Sequence, residues 1–127
     1  MYYLSAQDSI CKLAGELDLM AMLVAAMVHD FEHPGLNNNF LVNTNDARAT
    51  LYNDRSVLEN HHAASSFAVM SRPECNFLEG LSKSDFKTFR EIIIDMVLAT
   101  GKLYSINISL VALSLILCRN CPNDQPT

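Results

Sequence analysis

The 127-residue chain has no tryptophan and only four glycines and four prolines. So little glycine and proline excludes collagen-like and low-complexity proteins. Half of the residues are hydrophobic and 18% are charged, which is too apolar a composition for a disordered tail. The length predicts one domain, long enough to bury a hydrophobic core.

Positive charge is also scarce, because 9 Lys and Arg residues face 14 Asp and Glu residues for a net charge of −5. A surface for nucleic acid or for an anionic membrane needs an excess of basic residues, so we expect neither partner. The apolar runs 19–28 and 106–118 are both shorter than the roughly 20 residues of a membrane span. No basic segment precedes an apolar core at the start of the chain, as in a secretory signal. We therefore expect a cytoplasmic protein.

The four cysteines are too few and too scattered for the disulfide framework of a small secreted domain. Cys118 and Cys121 form one Cys-x-x-Cys pair, and no second pair accompanies it. Because a structural zinc site needs four ligands, reduced thiols are a better interpretation of this pair than metal or redox use.

The chain is predicted to consist of helices joined by polar loops. The predicted helices are 13–33, 47–52, 57–70 and 82 to about 99. Pro34 and Gly35 are expected to stop the first helix, and the asparagine-rich segment 36–45 is expected to be a loop. No alternation of apolar and polar residues predicts a strand, so the expected fold class is all-α.

Two sequence patterns resemble capping boxes, which mark helix starts. Ser56 with Glu59 precedes the third predicted helix, and Ser82 with Asp85 precedes the fourth. Apolar residues of the fourth helix recur at helical spacing: Phe86, Phe89, Ile93, Met96 and Val97. Asp85 and Asp95 are expected on its solvated face rather than as a catalytic pair.

The first cluster of chemistry-bearing residues is His29, Asp30 and His33. In a continuous helix, His29 and His33 would lie one turn apart on one face, with Asp30 close to both. Imidazole and carboxylate are ligands of Zn²⁺, and carboxylate is the ligand that Mg²⁺ and Mn²⁺ take. The alternative is that the histidines are ordinary core or surface residues.

A second cluster strengthens the metal interpretation. This cluster is Glu59-Asn60-His61-His62, in which Glu59 and His62 are three residues apart on a predicted helix and so share a face. All four histidines of the chain lie in these two clusters, which scattered structural histidines would not be expected to do. A carboxylate beside a metal site can orient a water molecule or take its proton.

Long blocks of the sequence resemble the class I 3′,5′-cyclic nucleotide phosphodiesterases over roughly residues 15–100. The blocks are HDFEHPGLNNNF at 29–40, LYNDRSVLENHH at 51–62 and IDMVLAT at 94–100. YNDRSVLENHH and LSKSDF look most similar to the calmodulin-dependent branch, whereas HPG and VLAT also suit the cAMP-specific branches. The order of these blocks is far more specific than a His-Asp pair alone.

The resemblance implies part of an all-helical, HD-type catalytic domain that hydrolyses cAMP or cGMP with Zn²⁺ and Mg²⁺ or Mn²⁺. His29 matches a zinc ligand, and Asp30 matches the carboxylate that bridges the two metals. Three residues match groups that hold the water shell of the second metal: His33, Glu59 and Thr100. Glu59 and His33 are the catalytic candidates, and His62 matches a supporting residue.

The sequence departs from the family in several blocks. No histidine precedes His29, so the family block of the type YHNxxHAxDV, which supplies a zinc ligand and the general acid, is not found. The later Asp ligand and the purine-binding Gln are not found either, and Gly101 stands where the family usually has Asp. We expect a partial catalytic domain over 1–101 and a divergent tail over 102–127. Without two of the family's metal ligands and its general acid, weak metal binding and little hydrolysis are expected of this chain alone. The alternative to an enzyme is a non-catalytic isoform that associates with full-length phosphodiesterases.

Overall fold

A computed structural model describes residues 14–101 of the chain. This part contains five α-helices and a short 3₁₀ helix, Pro73–Cys75. The α-helices are α1 Glu16–Val28, α2 Asn38–Asn43, α3 Ala47–Leu51, α4 Val57–Met70 and α5 Lys83–Thr100. The described residues form no strand, which confirms the all-α class. The expected tail 102–127, with its apolar run and Cys-x-x-Cys pair, lies outside the described residues.

Helix α1 ends five residues earlier than the sequence predicts, at Val28 rather than at 33. The His29 ring donates a hydrogen bond to the carbonyl of Ala26 at 2.8 Å. A side chain thus satisfies a carbonyl of the last turn of the helix. Glu32 then adopts a left-handed conformation with φ of 59°. The prediction that His29 and His33 lie on one face of a helix is therefore wrong, because residues 29–32 form a turn.

The asparagine-rich segment is not entirely a loop, since it contains α2. The side chain of Asn37 accepts a hydrogen bond from the Phe40 amide at 2.8 Å and caps the start of this helix. Asparagine is among the preferred N-cap residues, so the composition that predicted a loop also holds a helix signal. Leu41 of α2 is buried and anchors the short helix.

The two predicted capping boxes have different outcomes. At α5, Ser82 Oγ accepts a hydrogen bond from the Asp85 amide at 3.1 Å, which confirms the serine half of the predicted box, while the Asp85 carboxylate accepts from the Ser82 hydroxyl at 2.8 Å. At α4, Ser56 has a left-handed backbone with φ of 45° and makes no capping hydrogen bond. The Oδ1 atom of Asn38, far away in sequence, instead accepts from the Leu58 amide at 2.8 Å.

The main core lies between α1, α4 and α5. Its best-buried side chains include Met22, Phe67, Phe89, Ile93 and Val97. Phe86, predicted to share this face, is 38% exposed. None of the helices within 14–101 combines the length and the apolar character that crossing a bilayer requires.

A second, smaller cluster fixes α2 and α3 against the start of α4. It consists of Leu41, Ala49, Val57 and Leu58, with Val42 and Tyr52 packed against it. The cluster holds the segment after the α1 turn beside the first turns of α4. Both histidine-containing segments are thereby brought to the same end of the fold.

Candidate metal centre

Three ligand-type side chains converge where the α1 turn meets α4. Asp30, His33 and His62 each offer one nitrogen or oxygen atom, and these atoms lie within 4.8 Å of one another. Asp30 and His33 are exposed, whereas His62 is 2% exposed. A carboxylate and two imidazoles suit Zn²⁺, so the group fits a divalent cation on the chemistry of its donors.

Hydrogen bonding fixes the orientation of the His62 ring. Its Nδ1 atom lies 2.6 Å from the carbonyl oxygen of Phe31. Because a carbonyl only accepts, Nδ1 carries the hydrogen and donates it, and the Nε2 lone pair of the neutral ring stays available. A ring nitrogen bonded to a backbone carbonyl is the usual arrangement behind a metal-binding histidine.

The electrostatic surroundings of His62 favour its neutral form. Burial lowers the pKa of His62 below its ordinary value of 6.5, and the charge of His33 acts in the same direction. The Phe31 hydrogen bond and the carboxylates of Asp30 and Glu59 raise the pKa but do not cancel the effect of burial. A neutral imidazole is the form that binds a metal.

His29 forms a similar arrangement with Asp30. The His29 Nδ1 atom donates to the Ala26 carbonyl, and its Nε2 atom lies 3.1 Å from Asp30 Oδ2. Two ligands of one tetrahedral zinc ion lie about 3.4 Å apart, so this pair has the spacing of neighbouring ligands.

Asn38 holds the carboxylate of Glu59. Its Nδ2 atom lies 3.0 Å from Glu59 Oε2 and 3.3 Å from Oε1, and it donates to both oxygens. The sequence did not single out Asn38, because it is one of three consecutive asparagines. The run alone gives no basis for choosing the residue that faces α4.

The end of α5 lies beside the same carboxylate. Thr100 Oγ1 donates to the Val97 carbonyl at 2.7 Å, which leaves its oxygen lone pairs free to accept. Gly101 lies so close to Glu59 that an added Cβ would overlap the Glu59 carboxyl group. Thr100 is therefore next in sequence to a residue that contacts Glu59.

The remaining histidine has a different partner. His61 Nε2 lies 3.0 Å from Glu32 Oε2, and its ring meets the edge of the His62 ring with centroids 6.3 Å apart. The rings of His33 and His62, in contrast, stack with centroids 5.6 Å apart. The structure thus gathers Asp30, His33 and His62, while His29 contacts Asp30 but is not part of this group, and their individual roles stay predictions.

The sequence model of the 3′5′-cyclic nucleotide phosphodiesterase family matches residues 1–107. The chain is 49% identical over 93 residues to a probable 3′,5′-cyclic phosphodiesterase, pde-3, of Caenorhabditis elegans. It is 58% identical over 85 residues to the cGMP-inhibited 3′,5′-cyclic phosphodiesterase 3A of Homo sapiens. The name of the human relative describes it as cGMP-inhibited, which is neither the calmodulin-dependent nor the cAMP-specific branch.

A solved structure has a similar fold. The phosphodiesterase domain of the RhoPDE fusion protein of the choanoflagellate Salpingoeca rosetta superposes with a TM-score of 0.72 and 33% sequence identity. The match covers 85% of this chain and 39% of that one. The matched segments correspond to 73% of the chain and 14% of the worm relative, and to 66% of the chain and 7% of the human relative.

Proposed function

Because the chain belongs to the 3′,5′-cyclic nucleotide phosphodiesterase family, we propose that it takes part in the metal-dependent hydrolysis of cAMP or cGMP to the 5′-monophosphate. The convergence of Asp30, His33 and His62 is the observation that supports this proposal. We place the reaction in cytoplasmic signal transduction. The proposed cofactors are Zn²⁺ and Mg²⁺ or Mn²⁺.

The proposed ligands come from the α1 turn. His29 and Asp30 would bind the cations, and their 3.1 Å separation fits neighbouring ligands. When bound, divalent cations supply Lewis acidity toward water and toward the phosphate oxygens. His33 and Thr100 would hold water molecules beside them, and His62 would support the site from its buried position.

Glu59 is the proposed group for handling the proton of the attacking water. Its carboxylate is held by Asn38, and its charge acts to raise the pKa of His62. In the proposed reaction, the water oxygen bonds to phosphorus while the bond from phosphorus to the 3′ oxygen breaks. The leaving oxygen needs a proton, and we assign that general acid to no residue of this chain.

The proposal is tested with the purified 127-residue chain, Zn²⁺ with Mg²⁺, and cAMP or cGMP, with the 5′-monophosphate measured by chromatography. Since no residue of this chain is assigned as the general acid, we expect little turnover above a metal-only blank, and we expect Asp30→Asn to abolish it. Asp95→Asn is the matched control, because Asp95 is an exposed aspartate of α5 outside the site. Metal binding without turnover would contradict hydrolysis by the chain alone.

A second candidate function is association with an intact phosphodiesterase. It is favoured by a departure from the family pattern inside the chain, where Gly101 stands in place of the usual Asp. Co-purification with a full-length relative, combined with no turnover alone, would support this candidate. Turnover lost only in Asp30→Asn would exclude a purely non-catalytic role.

A further inference from the structure

We propose that Asn38 and Gly101 are positioning residues that together fix the Glu59 carboxylate. The inference rests on the proposed function, in which Glu59 handles a proton. Asn38 comes from α2, Glu59 from α4 and Gly101 from the end of α5. Three separate elements therefore meet at one carboxylate, and we call this arrangement the Glu59 seat.

Asn38 uses both ends of its amide in the Glu59 seat. Its Oδ1 atom accepts from the Leu58 amide at 2.8 Å, while Nδ2 donates to both oxygens of Glu59. Only an amide of this length both caps the start of α4 and donates to a carboxylate one residue further on. An aspartate would keep the cap but would place a second negative charge beside Glu59.

Gly101 is required for space rather than for backbone freedom. Its φ of −71° and ψ of −19° lie in the right-handed helical region, which any residue adopts. A Cβ added there would nevertheless overlap the Glu59 carboxyl group. Since the Glu59 side chain is the flexible partner, it would have to move, and the move would cost its hydrogen bonds to Asn38.

A fixed carboxylate is what the proposed role of Glu59 demands. Proton transfer requires the acceptor within hydrogen-bonding reach of the proton in a defined orientation. A glutamate without partners samples several rotamers, and supporting hydrogen bonds remove this freedom. The Glu59 seat thus supplies an orientation that the side chain of Glu59 does not have by itself.

The first experiment is a thermal unfolding cycle on the full chain. If Gly101 merely ended α5, Gly101→Ala would raise the Tm, because alanine restricts the unfolded chain at a compatible position. We expect it instead to lower the Tm by roughly 3–6 °C, the shift for losing about one hydrogen bond in a domain of this size. In a Glu59→Ala background, the same change should raise the Tm. A rise in both backgrounds would overturn the proposal.

The second experiment follows the Asn38 side-chain amide by NMR, without metal or substrate. We expect its signal to shift, and its exchange with water to quicken, in both Gly101→Ala and Glu59→Ala. The Asn76 side-chain amide is the internal control, because Asn76 lies in a different segment, where its Oδ1 accepts from the Leu78 amide, and its signal should not change. An unchanged Asn38 signal in Gly101→Ala would overturn the proposal.

A double variant that exchanges the amide and the carboxylate between positions 38 and 59 tests whether stability can be restored. Asn38→Asp should lower the Tm, since it keeps the cap on α4 but repels Glu59. Adding Glu59→Gln should restore the Tm, because the glutamine amide can donate to the new carboxylate. No recovery in the double variant would contradict the Glu59 seat. None of these measurements depends on turnover. A failure of the proposed hydrolysis can therefore be distinguished from a failure of the Glu59 seat.

Discussion

At the scale of single residues, His62 connects packing with chemistry. The same burial that fills the space beside the α1 turn lowers the pKa of its ring. The Phe31 carbonyl fixes which nitrogen carries the hydrogen. A neutral, oriented imidazole therefore results from folding alone, before any ligand is bound.

The lowered pKa of His62 predicts that acid destabilises the protein. Between the ordinary pKa of 6.5 and the lower folded value, the unfolded chain binds a proton that the folded chain does not. The stabilising contribution of neutral His62 is complete above about pH 6.5 and is lost as the pH falls below it. We expect the Tm to decrease from pH 7.5 to 5, as measured by circular dichroism.

The contribution of His62 is isolated by His62→Gln, which keeps a donor for the Phe31 carbonyl but does not titrate. This variant should show a flatter dependence of Tm on pH than the wild type. The exposed His33 serves as a control, and His33→Gln should retain most of the slope. Equal slopes in the wild type and His62→Gln would contradict the assignment.

At the scale of helices, the cap of α5 contributes measurably to stability. Ser82→Ala removes the oxygen that accepts the Asp85 amide, a change that costs about 1 kcal/mol at an N-cap. Ser56→Ala is a matched control, because Ser56 precedes α4 without a capping bond. We expect urea unfolding to show a clear loss for Ser82→Ala and a much smaller one for Ser56→Ala. Equal losses would contradict the cap assignment.

The two serines show how far local sequence patterns predict helix ends. Both are followed three residues later by an acidic residue, yet only Ser82 caps its helix. At α4 the partner is Asn38, which arrives from another helix and could not be inferred from the spacing. The end of α1 was missed for a similar reason, because the His29 ring, expected to serve a metal, also bonds the Ala26 carbonyl.

At the scale of the whole molecule, stability depends on the junction of α1, α4 and α5. Phe89 is fully buried there, and Phe89→Ala should cost about 3–5 kcal/mol. That loss is a large part of the roughly 5–15 kcal/mol by which domains are stable. Phe86→Ala, on the same helix but 38% exposed, should cost much less in urea unfolding. Similar costs for both would contradict the described core.

The all-α class and most of the α5 core were predictable, because Phe89, Ile93, Met96 and Val97 follow the helical period and are buried. The meeting of the two histidine clusters was expected from their chemistry, but its geometry was not. The sequence placed His29 and His33 on a helix that in fact ends at Val28. Turns such as 29–33 depend on contacts with distant residues, which no local pattern contains.

Two hydrogen bonds that join the segments 31–38 and 59–62 are nested along the chain. The hydrogen bond from Asn38 to Glu59 joins residues 21 apart, inside the loop closed by the bond between Phe31 and His62, which are 31 apart. Once the inner loop is closed, only two short connecting segments remain to be ordered, so the outer closure loses little additional chain entropy. Formation of the Asn38–Glu59 bond should therefore favour formation of the Phe31–His62 bond. Weakening the Asn38–Glu59 bond should also make the position of the His62 ring less fixed.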